Sequence, residues 1–445
     1  MTNLNNKKYH IITYGCQMNL HESEKLAGIL TSLGCEPSEN EKDADVIVFN
    51  TCCIRENAED RAEGNIGALK QLKKKRGDLI IAVGGCMTQQ KDYAYELHEK
   101  FPFVDIIFGT HNLEDFKRLL EEKAATKKSV VEVLDKEGGI VEGTPKTRTS
   151  YPNAWVNIMY GCDNFCTYCI VPYVRGRERS RNPKDIIGEV KSLVDCGYKE
   201  ITLLGQNVNS YGKELNTDFS TLLKEICKID GKFRLRFMTN HPKDLSDDLI
   251  ETIKENAKIC RCIHLPVQAG SNRILKLMNR KYTREDYLAE IAKLRSAVPD
   301  IAITTDIMVG FPTETEDDFE DTFSLMKEVG FSGAFTFIYS KRKGTAAAKM
   351  DGQIDAETSK RRIVKLISYQ NALNKKTSKK YDGRTVEILC EGYDAKKDKY
   401  LGRDEYGRMA YFCADDSVLG KFVNVKITKT GGISLYGELI SVNED

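Results

Sequence analysis

Trp155-Val156-Asn157-Ile158-Met159-Tyr160-Gly161-Cys162-Asp163-Asn164-Phe165-Cys166-Thr167-Tyr168-Cys169 decides the reading of this chain. A strand-like apolar run at Trp155–Met159 leads directly into a short loop carrying three cysteines spaced C-x3-C-x2-C. Three thiolates on one tight loop can bind three irons of a four-iron cubane, and the fourth iron then stays open to a chelating ligand. A zinc site with a distant fourth ligand and three unrelated buried cysteines are the competing readings.

Outward from that loop, strand–helix alternation continues with predicted strands at Glu200–Leu204, Arg234–Met238, Arg261–Leu265, Ile301–Met308 and Ala334–Tyr339. Six such units predict a partial parallel barrel with its chemistry at the carboxyl ends of the strands. A basic helix around Arg361 to Lys380 follows, and the pattern then changes. Short runs at Thr385–Glu391, Lys399–Arg403, Met409–Cys413, Phe422–Thr428 and Ser434–Ile440, separated by Gly and Asp turns, predict a small antiparallel β-barrel.

Before the loop, His10–Tyr14, Val46–Phe49 and Leu79–Val83 read as buried parallel strands, with crossover helices over Glu22 to Leu33 and Ala58 to Lys74. This is an open α/β sheet. The charged, weakly patterned stretch from Glu121 to Ser150 reads as a linker. The fold class is therefore α/β in three parts, with boundaries expected at 7–125, 148–378 and 381–443.

Cys16, Cys52 and Cys86 each follow a predicted strand of the first part, in Tyr14-Gly15-Cys16, Asn50-Thr51-Cys52 and Gly84-Gly85-Cys86. They recur every thirty-five residues or so, roughly one βα repeat, and the ends of neighbouring parallel strands lie about 5 Å apart. The three can converge on a second [4Fe-4S] cluster, against the reading that each is a buried apolar cysteine. Alternation along an extended chain sends Cys52 and Cys53 in opposite directions, so only one of them should reach the site. Cys35, Cys196, Cys227, Cys260, Cys262, Cys390 and Cys413 show no comparable arrangement and read as structural.

Composition limits the function classes. The net charge is +1, so overall electrostatics gives no separate support for a polyanionic partner. The apolar runs are strand-sized, and the N-terminus MTNLNNKKYH has no apolar signal region, so a cytoplasmic protein without membrane spans is expected. In a reducing compartment the fourteen cysteines point to cluster ligation and core filling, not disulfides.

The residues resemble a known family, the radical S-adenosylmethionine (SAM) methylthiotransferases. The match covers nearly the whole chain: Thr13 to Asn19 (TYGCQMN), Asn50-Thr51-Cys52, Gly85-Cys86-Met87, Cys162 to Arg181 (CDNFCTYCIVPYVRGRERSR), His264 to Ser271 and Thr305 to Pro312. Gly-Cys-Gln-Met-Asn is similar to the branch acting on N6-dimethylallyladenosine in tRNA. The alternatives are a methylthiotransferase for threonylcarbamoyl-adenosine in tRNA or for a ribosomal protein residue, and a non-enzymatic iron–sulfur RNA-binding protein.

The resemblance implies a methylthiotransferase N-terminal domain, a radical SAM barrel and a C-terminal TRAM barrel that binds tRNA. It implies two [4Fe-4S] clusters, on Cys162, Cys166 and Cys169 and on Cys16, Cys52 and Cys86. One SAM would donate methyl to sulfur and a second would yield the radical that removes hydrogen from C2 of the modified adenosine at tRNA position 37. An unactivated aromatic C–H gives polar chemistry no foothold. A flavodoxin- or ferredoxin-like electron donor, an unassigned sulfur source and a monomeric state complete the expectation.

Gln206 and Asn207, at the end of the second barrel strand, are candidates for the SAM methionyl group. His264, Gln268 and Asp306 are assigned no catalytic role. Arg175, Arg177, Arg179 and Arg181 suit either an anion or a solvated face, and Lys375 to Lys380 is a candidate tRNA backbone contact. The chain departs from the family pattern at Thr313, where Gly is usual, at Ala346, where Pro is usual, and at Asp404, where Thr is usual.

Overall fold

The computed structural model describes residues 4–53, 56–135 and 138–443. The chain packs as two compact units: residues up to Thr149 with 160–163 and 169–179, and residues 150–159 and 164–168 with 180 onward.

In the first unit, β1 (Lys8–Thr13), β2 (Glu36–Pro37), β3 (Val46–Thr51), β4 (Ile80–Gly85), β5 (Ile106–Phe108) and β6 (Val130–Glu132) form a sheet in the order β2-β1-β3-β4-β5-β6. Every pairing in it is parallel. All six side chains of β3 are buried, as expected for a parallel strand covered on both faces. The register pairs Thr13 with Asn50 and Thr51 with Gly85, so these strands end at one level. The predicted crossovers form as Gln17–Ser32 and as two helices, Glu56–Ala68 and Lys70–Lys75.

The stretch expected to be a linker contributes structure to this sheet. The helix Phe116–Thr126 extends into it and β6 adds the edge strand beyond residue 125; Lys136 and Glu137 lie outside the described residues. A three-residue strand is too short for the alternation that reveals longer ones.

In the second unit, β7 (Asn153–Asn157) precedes the two-residue strands β8 (Met159–Tyr160) and β9 (Arg179–Ser180), at the boundary of the two units. Strand β10 (Glu200–Leu204) lies between β7 and β11 (Arg234–Phe237), and β13 (Ala302–Val309) lies between β12 (Cys262–His264) and β14 (Gly333–Ile338). All these pairs are parallel, and an isolated parallel bridge joins Leu235 of β11 to Ile259, three residues before β12. The result is the expected six-stranded partial barrel. Its core includes Leu203, Leu235, Ile263 and Ile303. Capping boxes Thr283/Asp286 and Thr315/Asp318 start two of its helices, the polar side chains satisfying N–H groups that have no partner within the helix.

The helix Ala356–Ser378 leads to a closed barrel of β15 (Thr385–Asp394), β16 (Lys399–Arg403), β17 (Met409–Cys413), β18 (Phe422–Gly431) and β19 (Ser434–Val442), ordered β15-β16-β17-β19-β18. One expectation is corrected here: β17 and β19 run parallel, while the other four pairs are antiparallel. Five strands cannot alternate direction around a closed ring. An odd number forces at least one parallel pair.

Candidate iron–sulfur sites

The level ends of β1, β3 and β4 place Cys16, Cys52 and Cys86 at one edge of the first sheet. Gly15 has φ +106°, and a Cβ there would lie 2.6 Å from Cys52 Cβ and 2.8 Å from its Sγ. Gly85 has φ +105°, and a Cβ there would lie 2.5 Å from the Thr51 carbonyl oxygen. Both positions need glycine for conformation and for room.

Two asparagines from the motifs hold the strand ends together. Asn19 Nδ2 donates to the carbonyls of Tyr14 (2.9 Å) and Thr51 (2.8 Å), and Asn50 Nδ2 donates to the Asn19 carbonyl (2.8 Å). The Cys86 N–H donates to Thr51 O at 3.1 Å.

Cys52 packs on Gly15, while the Cys53 thiol hydrogen-bonds Cys86. Beyond the last residue of β3 at Thr51 the adjacent cysteines thus meet different strand ends, Cys52 that of β1 and Cys53 that of β4. The Cys53 hydrogen bond and the charge of Arg175 bring Cys86 down to about 7 against the effect of burial, and the same hydrogen bond raises Cys53.

Arg175 does not lie on a solvated face; the anion it meets is a carboxylate of this chain. Arg175 is 5% exposed, paired with both Glu22 oxygens, and donates from Nη2 to Asn19 Oδ1 (3.1 Å) and from Nε to Cys86 Sγ (3.2 Å). Arg181 is also buried, donating to the Asn157 carbonyl at 2.6 Å and pairing with Glu189 at 2.9 Å. Arg177 pairs with Asp163 at 2.7 Å, and Arg179 donates to the Gly138 carbonyl at 2.6 Å.

The three-cysteine loop has its own supports. In the first unit, the Cys162 N–H donates to Gly176 O at 3.2 Å, and Gly161, with φ +77°, has no room for a Cβ beside the Arg177 carbonyl. In the second unit, Asn279 Nδ2 donates to the carbonyls of Asn164 (3.2 Å) and Phe165 (3.0 Å), and Thr167 N–H donates to Met278 O. Arg280 Nη1 donates to Cys166 Sγ at 3.4 Å.

Among the described residues no three His, Cys, Asp or Glu side chains are grouped so as to hold a single metal ion. A cubane makes a different demand, one thiolate per iron on a soft, sulfur-rich site. Thiolates at level strand ends, with glycines clearing space, fit that demand.

Asn207 is buried, and its Nδ2 donates to Asp244 at 2.8 Å while its Oδ1 has no hydrogen-bond partner among the described residues; Gln206 precedes it in the chain. His264 pairs with Asp306 at 3.5 Å and with Thr304 Oγ1 at 3.0 Å. Lys375 and Lys376 fall in the last turn of Ala356–Ser378, and Lys380 lies over the Tyr381 ring. Thr313 has φ +68°, keeping the backbone of the glycine usual there.

Residues 8–109 match the uncharacterized protein family UPF0004, residues 156–326 the radical SAM superfamily and residues 379–440 the TRAM domain. A tRNA-2-methylthio-N(6)-dimethylallyladenosine synthase of Thermoanaerobacter pseudethanolicus is 52% identical over 440 residues, 98% of this chain and 93% of that protein. The protein of that name from Clostridium perfringens (strain 13 / Type A) is 54% identical over 445 residues, 98% and 99% of the two chains. Among solved structures, the radical SAM methyltransferase TsrM of Kitasatospora setae, with cobalamin and a [4Fe-4S] cluster, aligns with a TM-score of 0.58 at 14% identity over 77% of this chain and 74% of that one. That likeness speaks to fold alone.

Proposed function

The chain belongs to the tRNA-2-methylthio-N(6)-dimethylallyladenosine synthase family, and from that premise we propose that Cys162, Cys166 and Cys169 hold one [4Fe-4S] cluster and Cys16, Cys52 and Cys86 a second. The enzyme is a radical SAM methylthiotransferase that converts N6-dimethylallyladenosine in tRNA to its 2-methylthio derivative. Relatives of that name, more than half identical over nearly the whole chain, separate this activity from the threonylcarbamoyl-adenosine and ribosomal-protein alternatives.

When bound, the clusters and SAM supply one-electron reduction, abstraction of hydrogen from C2 and the methylthio group. The protein's own part is to present thiolates and hold them still. Asn19 and Asn50 tie the ends of β1 and β3 together, Gly15 and Gly85 leave room at that edge, and Asn279 fixes the middle of the three-cysteine loop. Asn207 Oδ1, buried and lacking a partner among the described residues, supports Asn207 as a SAM contact, with Gln206 beside it. The observation that carries the second site is the common level at which three strands end beside a glycine-cleared edge.

We assign the three functional regions to 7–132, extended from 125 to take in β6, and to 148–378 and 381–443, which the separate family matches support. No helix among the described residues is long and apolar enough to cross a membrane. A tRNA substrate supports a cytoplasmic enzyme, and we assign it a monomeric state and a flavodoxin- or ferredoxin-like electron donor.

Iron and sulfide analysis with Mössbauer spectra of oxygen-protected protein tests the ligand sets. Wild type should hold about eight irons and Cys16→Ala/Cys52→Ala/Cys86→Ala about four. A single centre in wild type, or zinc in place of iron, refutes the assignment.

A further inference from the structure

Each proposed ligand set includes one cysteine whose sulfur accepts a hydrogen bond from a buried arginine. Arg175 Nε donates to Cys86 at 3.2 Å, and Arg280 Nη1 donates to Cys166 at 3.4 Å. Neither arginine is free to move. Arg175 is held by Glu22 and Asn19. Arg280 is 8% exposed, donates from Nε to the Tyr282 hydroxyl (2.9 Å) and from Nη2 to the Pro266 carbonyl (2.8 Å), and lies 5.1 Å from the centre of the Tyr282 ring.

The two differ in what balances their charge. Arg175 meets the Glu22 carboxylate through both Nη groups, so the pair brings little net charge to Cys86. Among the described residues the hydrogen-bond partners of Arg280 are a phenol, a carbonyl and the thiol, with no carboxylate. Cluster potentials respond to net charge and to hydrogen bonds on the sulfurs, and a buried charge acts through a low dielectric. A cation beside a ligand sulfur favours the reduced, more negative cluster.

We propose that Arg280 and Arg175 are positioning residues that raise the reduction potentials of the clusters on Cys166 and Cys86, with Arg280 having the larger effect because its charge is not cancelled. This rests on the ligand sets proposed above. It makes the cluster that must pass an electron to SAM easier to load than it would be without the Arg280 charge.

Single-centre proteins separate the effects. Cys16→Ala/Cys52→Ala/Cys86→Ala leaves the Cys166 site, and Cys162→Ala/Cys166→Ala/Cys169→Ala leaves the Cys86 site. Into the first go Arg280→Gln and Arg280→Lys. Into the second go Arg175→Lys and the doubly neutral Arg175→Gln/Glu22→Gln, which leaves no buried carboxylate unpaired. Iron content and the midpoint of a redox titration are measured on each.

With iron retained, Arg280→Gln should lower the reduction equilibrium at least tenfold, about 59 mV for one electron. Arg280→Lys should recover part of that, and the Arg175→Gln/Glu22→Gln shift should be smaller. Unchanged midpoints with full iron overturn the proposal, as does a larger shift at the Cys86 site. Loss of iron or of folding in both Arg280 variants makes the residue structural and also overturns it. Parent single-centre proteins without iron would instead show that the ligand sets are wrong.

Discussion

Gly15→Ala is the sharpest test of the strand-end site. The substitution places an L side chain at φ +106°, which costs about 1–2 kcal/mol in backbone strain. The new Cβ would sit 2.6 Å from Cys52 Cβ, where carbon atoms in favourable contact stand about 3.5–4.0 Å apart. Cys52 must therefore retreat by roughly 1 Å, while a ligand sulfur tolerates only about 0.2 Å of misplacement. The strain is affordable for the fold as a whole, so the variant should remain folded and lose one cluster. After anaerobic reconstitution it should hold about four irons where wild type holds about eight. It should still release 5′-deoxyadenosine from SAM under reduction, because the Cys162, Cys166 and Cys169 site is untouched. Nucleoside analysis of its tRNA product should show no methylthio group. A Gly15→Ala protein with full iron and full product would refute the close packing of Cys52 on Gly15 as a requirement of the site.

The adjacent cysteines separate in the same assay: Cys52→Ala should lose the second cluster's iron and Cys53→Ala should keep it, and the reverse pattern would transfer the ligand role to Cys53. Asp404 has its pKa raised from 3.8 to about 6, chiefly by burial and despite Arg234, Arg236 and Arg408. Its folded form holds the proton more tightly than the unfolded chain, so stability falls as pH rises from about 4 to about 6 and stays reduced above, by about 3 kcal/mol. Asp404→Asn should therefore unfold at higher urea than wild type at pH 7.5 and at nearly the same urea at pH 4, and a difference independent of pH would sink the argument. Thr313→Gly should relieve the strain at φ +68° and raise stability by about 1 kcal/mol, less whatever the Arg273–Thr313 hydroxyl bond contributes; a loss in thermal midpoint would show that bond to be the stronger effect.

The parts of this protein that sequence makes readable are those set by repetition. Cysteines one βα repeat apart, each just past a buried strand, occupy equivalent positions in a parallel sheet, and the register of Thr13 with Asn50 and Thr51 with Gly85 is what makes them level. Strand β6 escapes because three residues carry no period, and the parallel β17–β19 pair because it follows from ring closure, not from either strand's pattern.

Arg175 shows a different limit. In the run Arg175-Gly176-Arg177-Glu178-Arg179-Ser180-Arg181 nothing local distinguishes it from Arg177, since its partner Glu22 is 153 residues away. Burial settles the difference. A guanidinium removed from water must fill its donors, and Arg175 does so with the Glu22 carboxylate, the Asn19 amide oxygen and the Cys86 sulfur. The arginine that the sequence could not single out is thus one whose donors are all filled, and the same reasoning identifies Arg280, which no cysteine motif marks.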